Sequence, residues 1–368
     1  MPSSRLSALA ASLPAAHLDA LALNMSPSLT YLTGLHFHVS ERPVVLIVPT
    51  QGEPAIVLPE LEQLKLADLP FAVRAFPYAE DPSTWDGVFG QALRALGLDG
   101  KHIGIEPLAM RLMEFRHLQA GAPGADFPDA SDLVGRLRVC KDADEIAAMK
   151  KAVGVAQQAL EAILPGIRVG QSEQEIANGL VVALLQAGSQ PELPFSPIVS
   201  GGPNGANPHA VPSERPLKNG DLLVIDWGAA VDGYIADLTR TFAIGNVNDE
   251  CRRIHKVVQD ANAAGRAAGK PGAPCAAVDR AARQVIEQAG YGQYFTHRTG
   301  HGIGLEPHED PYMRGDNQLL LASGMTYTVE PGIYLPGRNG VRIEDNLVIT
   351  ADGVECLSDM PRQMRTLG

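Results

Sequence analysis

The feature that most constrains this chain is a pair of aspartates set into otherwise apolar sequence. The segment LLVIDWGAAVDGYIADLTRTFAI carries two apolar runs on either side of Val231-Asp232-Gly233 and reads as a β-hairpin. Asp226 and Asp237 lie almost symmetrically about that turn. Such positions are predicted to face each other across an antiparallel ladder, with Cβ atoms roughly 5 Å apart. The pattern recurs. Glu330 ends the run MTYTVE, Glu344 lies in GVRIEDNLVI, and their midpoint falls in the loop PGRNG at 336–340. Like charges opposed across a sheet destabilise it, so two such pairs among Leu, Val, Ile and Thr call for a compensating positive charge.

A nitrogen donor is available in the run HRTGHGIGLEPHE, where His297, His301 and His308 fall within twelve positions. Glycines at 300, 302 and 304 let the backbone of that segment approach a neighbouring strand or a ligand. Four carboxylates with one imidazole, His301, form an oxygen-rich donor set. Such a set suits Mn, Co or Zn in a catalytic role better than a structural zinc, which prefers thiolates. Two divalent ions held about 3.5 to 4 Å apart can activate water and polarise a carbonyl, which makes hydrolysis the natural reaction.

Together, IDWGAAVDGYIADLTRT, HRTGHGIGLEPHE, TVEPGIYLPG and VRIEDN resemble the metallopeptidase family of prolidase, aminopeptidase P and methionine aminopeptidase, over residues 135–360. The resemblance implies a pita-bread fold of two αβ halves around a curved sheet. It also implies that Asp226 and Asp237 bind one ion and His301 and Glu330 the other, with Asp237 and Glu344 bridging. Glu330 is then the expected proton shuttle. His209, in SGGPNGANPHA, resembles a histidine on a loop over the substrate, and His308 one that helps stabilise the tetrahedral intermediate. His297 resembles a further active-site position without an assigned role.

Strand parity adds Arg342 independently. It stands two positions before Glu344, so it faces the same side and reaches toward the acids, where a guanidinium can steady a carboxylate or hold one from a substrate. Tyr234 is out of phase with Asp237 and is expected to lie outside the site.

Composition sets the class. With 368 residues, 45% of them hydrophobic, and a mean hydropathy of −0.02, the chain can bury a large core and reads as a soluble α/β (α+β) enzyme of two domains. A net charge of −12 argues against a nucleic-acid partner, because neutralising phosphates needs an excess of Lys and Arg. Cys140, Cys251, Cys275 and Cys356 have no C-x-x-C spacing and are too sparse for a disulfide framework, which fits a reducing cytoplasm. The N-terminal Ala/Leu run imitates a signal peptide, but Pro14, His17 and Asp19 interrupt it, and Leu6, Leu9 and Leu13 have helical spacing. No run approaches the roughly 18 apolar residues of a membrane span, so no membrane partner is expected.

Along the chain, LDALAL, VVLIVP, PAIVLP and HIGIEP alternate with helical patterns such as Trp85 to Leu96, the texture of a small α/β domain. The Gly/Pro/Asp loop GAPGADFPDA at 121–130 places a boundary between a domain at 1–130 and a catalytic domain at 131–368. A charged linker and a long helix follow, with Asp142, Asp144 and Glu145 at the helix start, where the dipole favours acids. Further helices are predicted over 172–187, 250–268 and 275–289.

The first domain resembles, in YLTGLHFHVSERPVVLIVP, the one carried by prolidases, aminopeptidases P and creatinases, where it mediates dimerisation. A homodimer is therefore expected, with His36, His38, Glu41 and Arg42 selecting substrate length across its interface. The resemblance further implies Xaa-Pro peptides as substrates. Their scissile bond is a tertiary amide lacking the N–H that general peptidases grip. A dipeptidase acting on Xaa-Pro is favoured over an aminopeptidase acting on longer Xaa-Pro chains. A metal-free creatinase-like amidinohydrolase and a non-catalytic binding module are disfavoured, because all five ligand positions are filled.

Overall fold

The computed structural model describes residues 2–368. They divide into two compact units, Met1–Arg138 and Val139–Gly368. In the first, α1 (Pro2–Ser12) buries Leu6 and Leu9, and Leu13 just beyond it, as their spacing demands. Strands β1 (Ala20–Leu23), β2 (Val45–Pro49), β3 (Ala55–Pro59), β4 (Arg74–Tyr78) and β5 (Ile103–Gly104) form a mixed sheet in the order β4-β3-β2-β1-β5. Helices α2 (Pro27–Thr33), α3 (Trp85–Ala95), α4 (Leu112–Gly121) and α5 (Ser131–Arg138) complete the unit. The stretch expected to be charged linker is thus partly α5, whose buried Val134 and Arg138 belong to this first unit. Arg42 pairs with Glu80 and Glu41 of the same unit.

The second unit is built from two hairpins, each backed by a helix pair. Helices α6 (Ala143–Ile163) and α7 (Glu173–Ala187) both start with a complete capping box, Asp142 with Glu145 and Ser172 with Glu175. They cover β6 (Ile198–Gly201), β7 (Leu222–Val231) and β8 (Tyr234–Ile244), packing on Leu223, Ile225, Trp227 and Ala229 of β7 and on Ala236, Leu238 and Phe242 of β8. Because side chains alternate along a strand, the neighbours Asp226 and Asp237 are forced onto the opposite face.

Helices α8 (Asp249–Ala268) and α9 (Cys275–Gln288) back the second half. Strands β9 (Gly300–Gly302), β10 (Glu309–Met313), β11 (Thr326–Val329), β14 (Asp345–Ile349) and β15 (Val354–Cys356) form one sheet, in the order β10-β9-β11-β14-β15. Between β11 and β14 the chain makes a separate two-stranded ribbon of β12 (Gly332–Leu335) and β13 (Asn339–Arg342), and β16 (Thr366–Leu367) joins the edge of β8. Tyr327, Val329, Leu347 and Ile349 pack with Val278 of α9 on one face. The alternate residues Thr328 and Asn346 look the other way, Thr328 accepting the His301 N–H and Asn346 bonding Asp237 of the first hairpin.

Candidate metal centre

In the first hairpin Asp232 and Gly233 both have positive φ, 52° and 81°, the geometry of a two-residue turn matched to strand twist. That turn fixes the register. Asp226 pairs with Thr239 and Asp237 with Gly228, so the two aspartates are diagonal neighbours on one face rather than directly opposed. The expectation of direct opposition is corrected by two residues, because the loop is Asp232-Gly233 alone. The backbone of Asp237 is held by Asn346, whose Oδ1 accepts its N–H at 3.0 Å and whose Nδ2 donates to its carbonyl at 2.6 Å.

The second hairpin keeps a single register throughout, Val329 opposite Asp345 and Gly332 opposite Arg342, yet its ladder opens at the two acids. There each strand bonds to another partner: Glu330 N–H donates to the Thr299 carbonyl at 2.7 Å and Glu344 N–H to the Thr239 carbonyl at 3.0 Å. This break brings both glutamates to the first hairpin. Glycine is required beside them. A Cβ on Gly300 would stand 1.9 Å from the Thr328 carbonyl oxygen, and one on Gly302 2.1 Å from that of Asp310.

His301 Nε2 lies 3.4 Å from Glu330 Oε1 and 3.7 Å from Asp237 Oδ2. One donor atom each from Asp237, His301 and Glu344 falls within a 4.8 Å span. Asp226 Oδ1, Asp237 Oδ1 and Glu344 Oε1 are buried without a hydrogen-bond partner. Burial costs such oxygens their water, so an arrangement that leaves three of them bare fits a cation. The donor set, carboxylates with one imidazole, suits a hard or borderline divalent ion.

Protonation follows the same physics. Burial, reinforced by the neighbouring carboxylates, holds Asp237 and Glu344 well above the ordinary carboxylate range. Burial also pushes Glu330 up to about 8, although Arg342 opposes it. The same desolvation keeps His301 neutral well below its usual range, and a neutral imidazole is the ligating form. The His301 ring also lies against that of His308, with centroids 4.1 Å apart and planes tilted by 59°.

Arg342 reaches this face, as its parity requires. Its NH2 donates to Asp226 Oδ2 at 2.5 Å, Nε to Thr239 Oγ1 at 3.2 Å, and NH1 to Tyr334 Oη at 3.0 Å and to the Pro208 carbonyl at 3.2 Å. Through Pro208 it anchors the loop that carries His209. His297 bonds Tyr334 Oη at 2.8 Å, and burial lowers its pKa to about 4. A cavity of about 740 Å³ has His209, His297, His308 and Arg342 on its wall beside the five donors. Tyr234 instead donates to Glu145 away from the cavity.

Sequence reasoning missed Asn346, Thr239, Tyr334 and Arg298. Thr239 and Asn346 share strand parity with Asp237 and Glu344, a usable signal. Tyr334 had none, since it meets Arg342 only through the pairing of β12 with β13.

The model of metallopeptidase family M24 matches residues 147–351, and that of the Creatinase/Prolidase N-terminal domain matches residues 5–140. This chain belongs to metallopeptidase family M24. It is therefore a metal-dependent peptidase. Among solved structures, a recombinant prolidase from Thermococcus sibiricus superposes with a TM-score of 0.94 at 32% identity, covering 100% of this chain and 99% of that one. Dipeptidase PepE from Mycobacterium ulcerans gives 0.90 at 35% identity, over 100% and 98%. The Xaa-Pro dipeptidase from Bacillus anthracis gives 0.90 at 31%, over 100% of both chains. The M24 pita-bread fold with a creatinase-like first domain thus holds for this chain. Among the described residues no helix is long and apolar enough to cross a membrane.

Proposed function

We propose that this M24 peptidase is an Xaa-Pro dipeptidase, hydrolysing the bond before proline in dipeptides. The observation that carries this reading is the set of three bare buried carboxylate oxygens at the floor of one cavity, beside a neutral imidazole. The dipeptidase and prolidase names of its relatives support the choice of substrate. So does the cavity wall, where Phe195, Pro197, Ile198 and Val211 offer an apolar surface to a pyrrolidine ring.

Asp226, Asp237, His301, Glu330 and Glu344 would hold two divalent ions, Mn as the first choice and Co or Zn as alternatives. When bound, the ions supply Lewis-acid polarisation of the scissile carbonyl and activation of a water molecule. Glu330 holds and moves the proton. As a carboxylate it takes a proton from the attacking water and returns it to the departing proline nitrogen. His308 and His209, both on the cavity wall, offer N–H groups to the oxygen that gains charge. Arg342 orients Asp226 through its hydrogen bond, and His297 fixes Tyr334 against Arg342. Domains at 1–130 and 131–368, a homodimer with the His36, His38, Glu41 and Arg42 segment at its interface, and a cytoplasmic location complete the reading.

Incubation of Mn-loaded protein with Ala-Pro and with Ala-Pro-Ala tests it. Cleavage of Ala-Pro, lost with EDTA, is expected. Cleavage of the tripeptide alone makes the enzyme an aminopeptidase, and cleavage of neither removes proline specificity.

A further inference from the structure

One fully buried carboxylate outside the metal centre draws its partners from a single loop. Glu173 opens α7, and its side chain turns away from the helix. Its Oε1 accepts the Gly201 N–H at 2.7 Å, at the end of β6, and its Oε2 accepts the Ser213 N–H at 3.0 Å and hydroxyl at 2.6 Å. Asn204 Nδ2 donates to both oxygens at 3.0 Å. Arg215, just beyond Ser213, is committed to Asp221 at 2.8 Å, so the charge of Glu173 is met by neutral donors of the loop. Burial deprives a carboxylate of water, and the loop that replaces the water is closed by doing so. Gly201 and Ser213 bracket the stretch 202–212, which reaches the cavity wall at Pro208, His209, Ala210, Val211 and Pro212.

Resting on the reading of His209 as a donor to the oxygen that gains charge, we propose that Glu173 is a positioning residue for hydrolysis. From outside the cavity its carboxylate clasps the 201–213 loop and sets His209 on the cavity wall. The cavity side of the loop has its own tether, because Arg342 NH1 donates to the carbonyl of Pro208, the residue before His209, at 3.2 Å. Asn207 Oδ1 accepts the His209 N–H at 3.2 Å, and the Asn207 carbonyl accepts the Ala210 N–H at 3.2 Å. His209 is thus an exposed side chain on a backbone held from two sides. Glu173→Gln keeps the size of the clasp but turns one acceptor oxygen into a donor, which then meets the donors of the loop. The loop loosens, while the acids of the metal cluster keep the strands that place them.

A double-mutant cycle tests it, with Ala-Pro turnover, bound Mn and thermal melts measured on Mn-loaded wild type, Glu173→Gln, His209→Ala and the double variant. Misplacing a group by about 1 Å costs on the order of 10²-fold, so Glu173→Gln should lower kcat about 10- to 100-fold. KM should change less than about threefold, because His209 acts on charge that develops only in the transition state, and bound Mn should stay at the wild-type level. In the His209→Ala background the same substitution should cost less than about threefold, since the group it positions is gone. A merely structural role lowers Tm and costs the same in both backgrounds. Equal losses in the two backgrounds, an unaltered kcat, or loss of bound Mn overturns this inference and leaves the reading of His209 intact. A His209→Ala variant as active as wild type overturns that reading and this inference with it. Should Glu173→Gln not fold, Asn204→Ala, which removes a half-buried donor from the clasp, carries the same cycle: a loss of kcat of about threefold or more that vanishes without His209 is expected, and an equal loss in both backgrounds overturns the proposal.

Discussion

The two hairpins that supply the acids solve the same problem in different ways. In β7/β8 the ladder runs unbroken past Asp226 and Asp237, so both carboxylates sit on a continuous, fully buried sheet. In the second hairpin the ladder opens at Glu330 and Glu344, and the freed backbone N–H groups bond to Thr299 and Thr239. The first arrangement places its acids by strand pairing alone, the second by bonds to another part of the chain. Within the second hairpin Glu330 is only partly buried, whereas Glu344 is fully buried. A group that moves protons must meet both water and substrate, and Glu330 stands where the sheet lets it do so.

In β7/β8, Asp237→Asn should have the largest effect. The variant should lose metal and activity together, falling by roughly 10³-fold or more, beyond the loss typical of a single electrostatic contact, as read by metal analysis and Ala-Pro turnover. A fully active, metal-bound variant would break the comparison at this end. In the second hairpin, Glu330→Gln should lower kcat by about 10²- to 10⁴-fold, the range of a general acid-base group, with the fold retained by circular dichroism. Asn346→Ala removes the clamp that one hairpin places on the other. Metal affinity should weaken by about tenfold, since supports of ligands carry 10- to 100-fold, and titration calorimetry reads the change. The smallest effect belongs to the turn. Asp232→Val puts a β-branched residue at φ 52°, which should cost about 1–2 kcal/mol in a denaturant melt and leave kcat unchanged.

This comparison also separates what the chain discloses from what it hides. Both hairpins, their turns and the parity of Arg342 are written in alternating apolar sequence, because a side-chain period of two leaves no freedom over which face an acid takes. The glycines around His301 are equally legible, since only glycine allows such close backbone contact. The offset of Asp226 from Asp237 is subtler. It depends on Asp232-Gly233 forming the whole loop, and centring the turn one position earlier gives direct opposition instead. The break at Glu330 and Glu344 was not legible, because its cause lies in Thr299 and Thr239, distant in sequence. For the same reason Asn346 and Tyr334 escaped notice: local pattern carries no record of a partner on another hairpin. Helix α5 was hidden by charge, its run DLVGRLR reading as linker until Val134 and Arg138 find a core.

The central claim is that the acidic cluster is built for divalent metal, and it is tested most directly by the pH dependence of stability without metal. Glu330 ionises near 8 in the folded chain against about 4.5 unfolded, so folding holds its proton, and stability must fall as pH rises between those values. Raised Asp237 and Glu344 act in the same direction. Neutral buried His301 and His297 act oppositely, losing stability as pH drops below about 6.5, which leaves pH 6.5 to 8 as the clean window. Thermal melts of EDTA-treated, dialysed protein across that window should show Tm falling with pH, and added Mn should raise Tm most at the upper end. A Tm that is flat with pH and unmoved by Mn, Co or Zn would contradict the account.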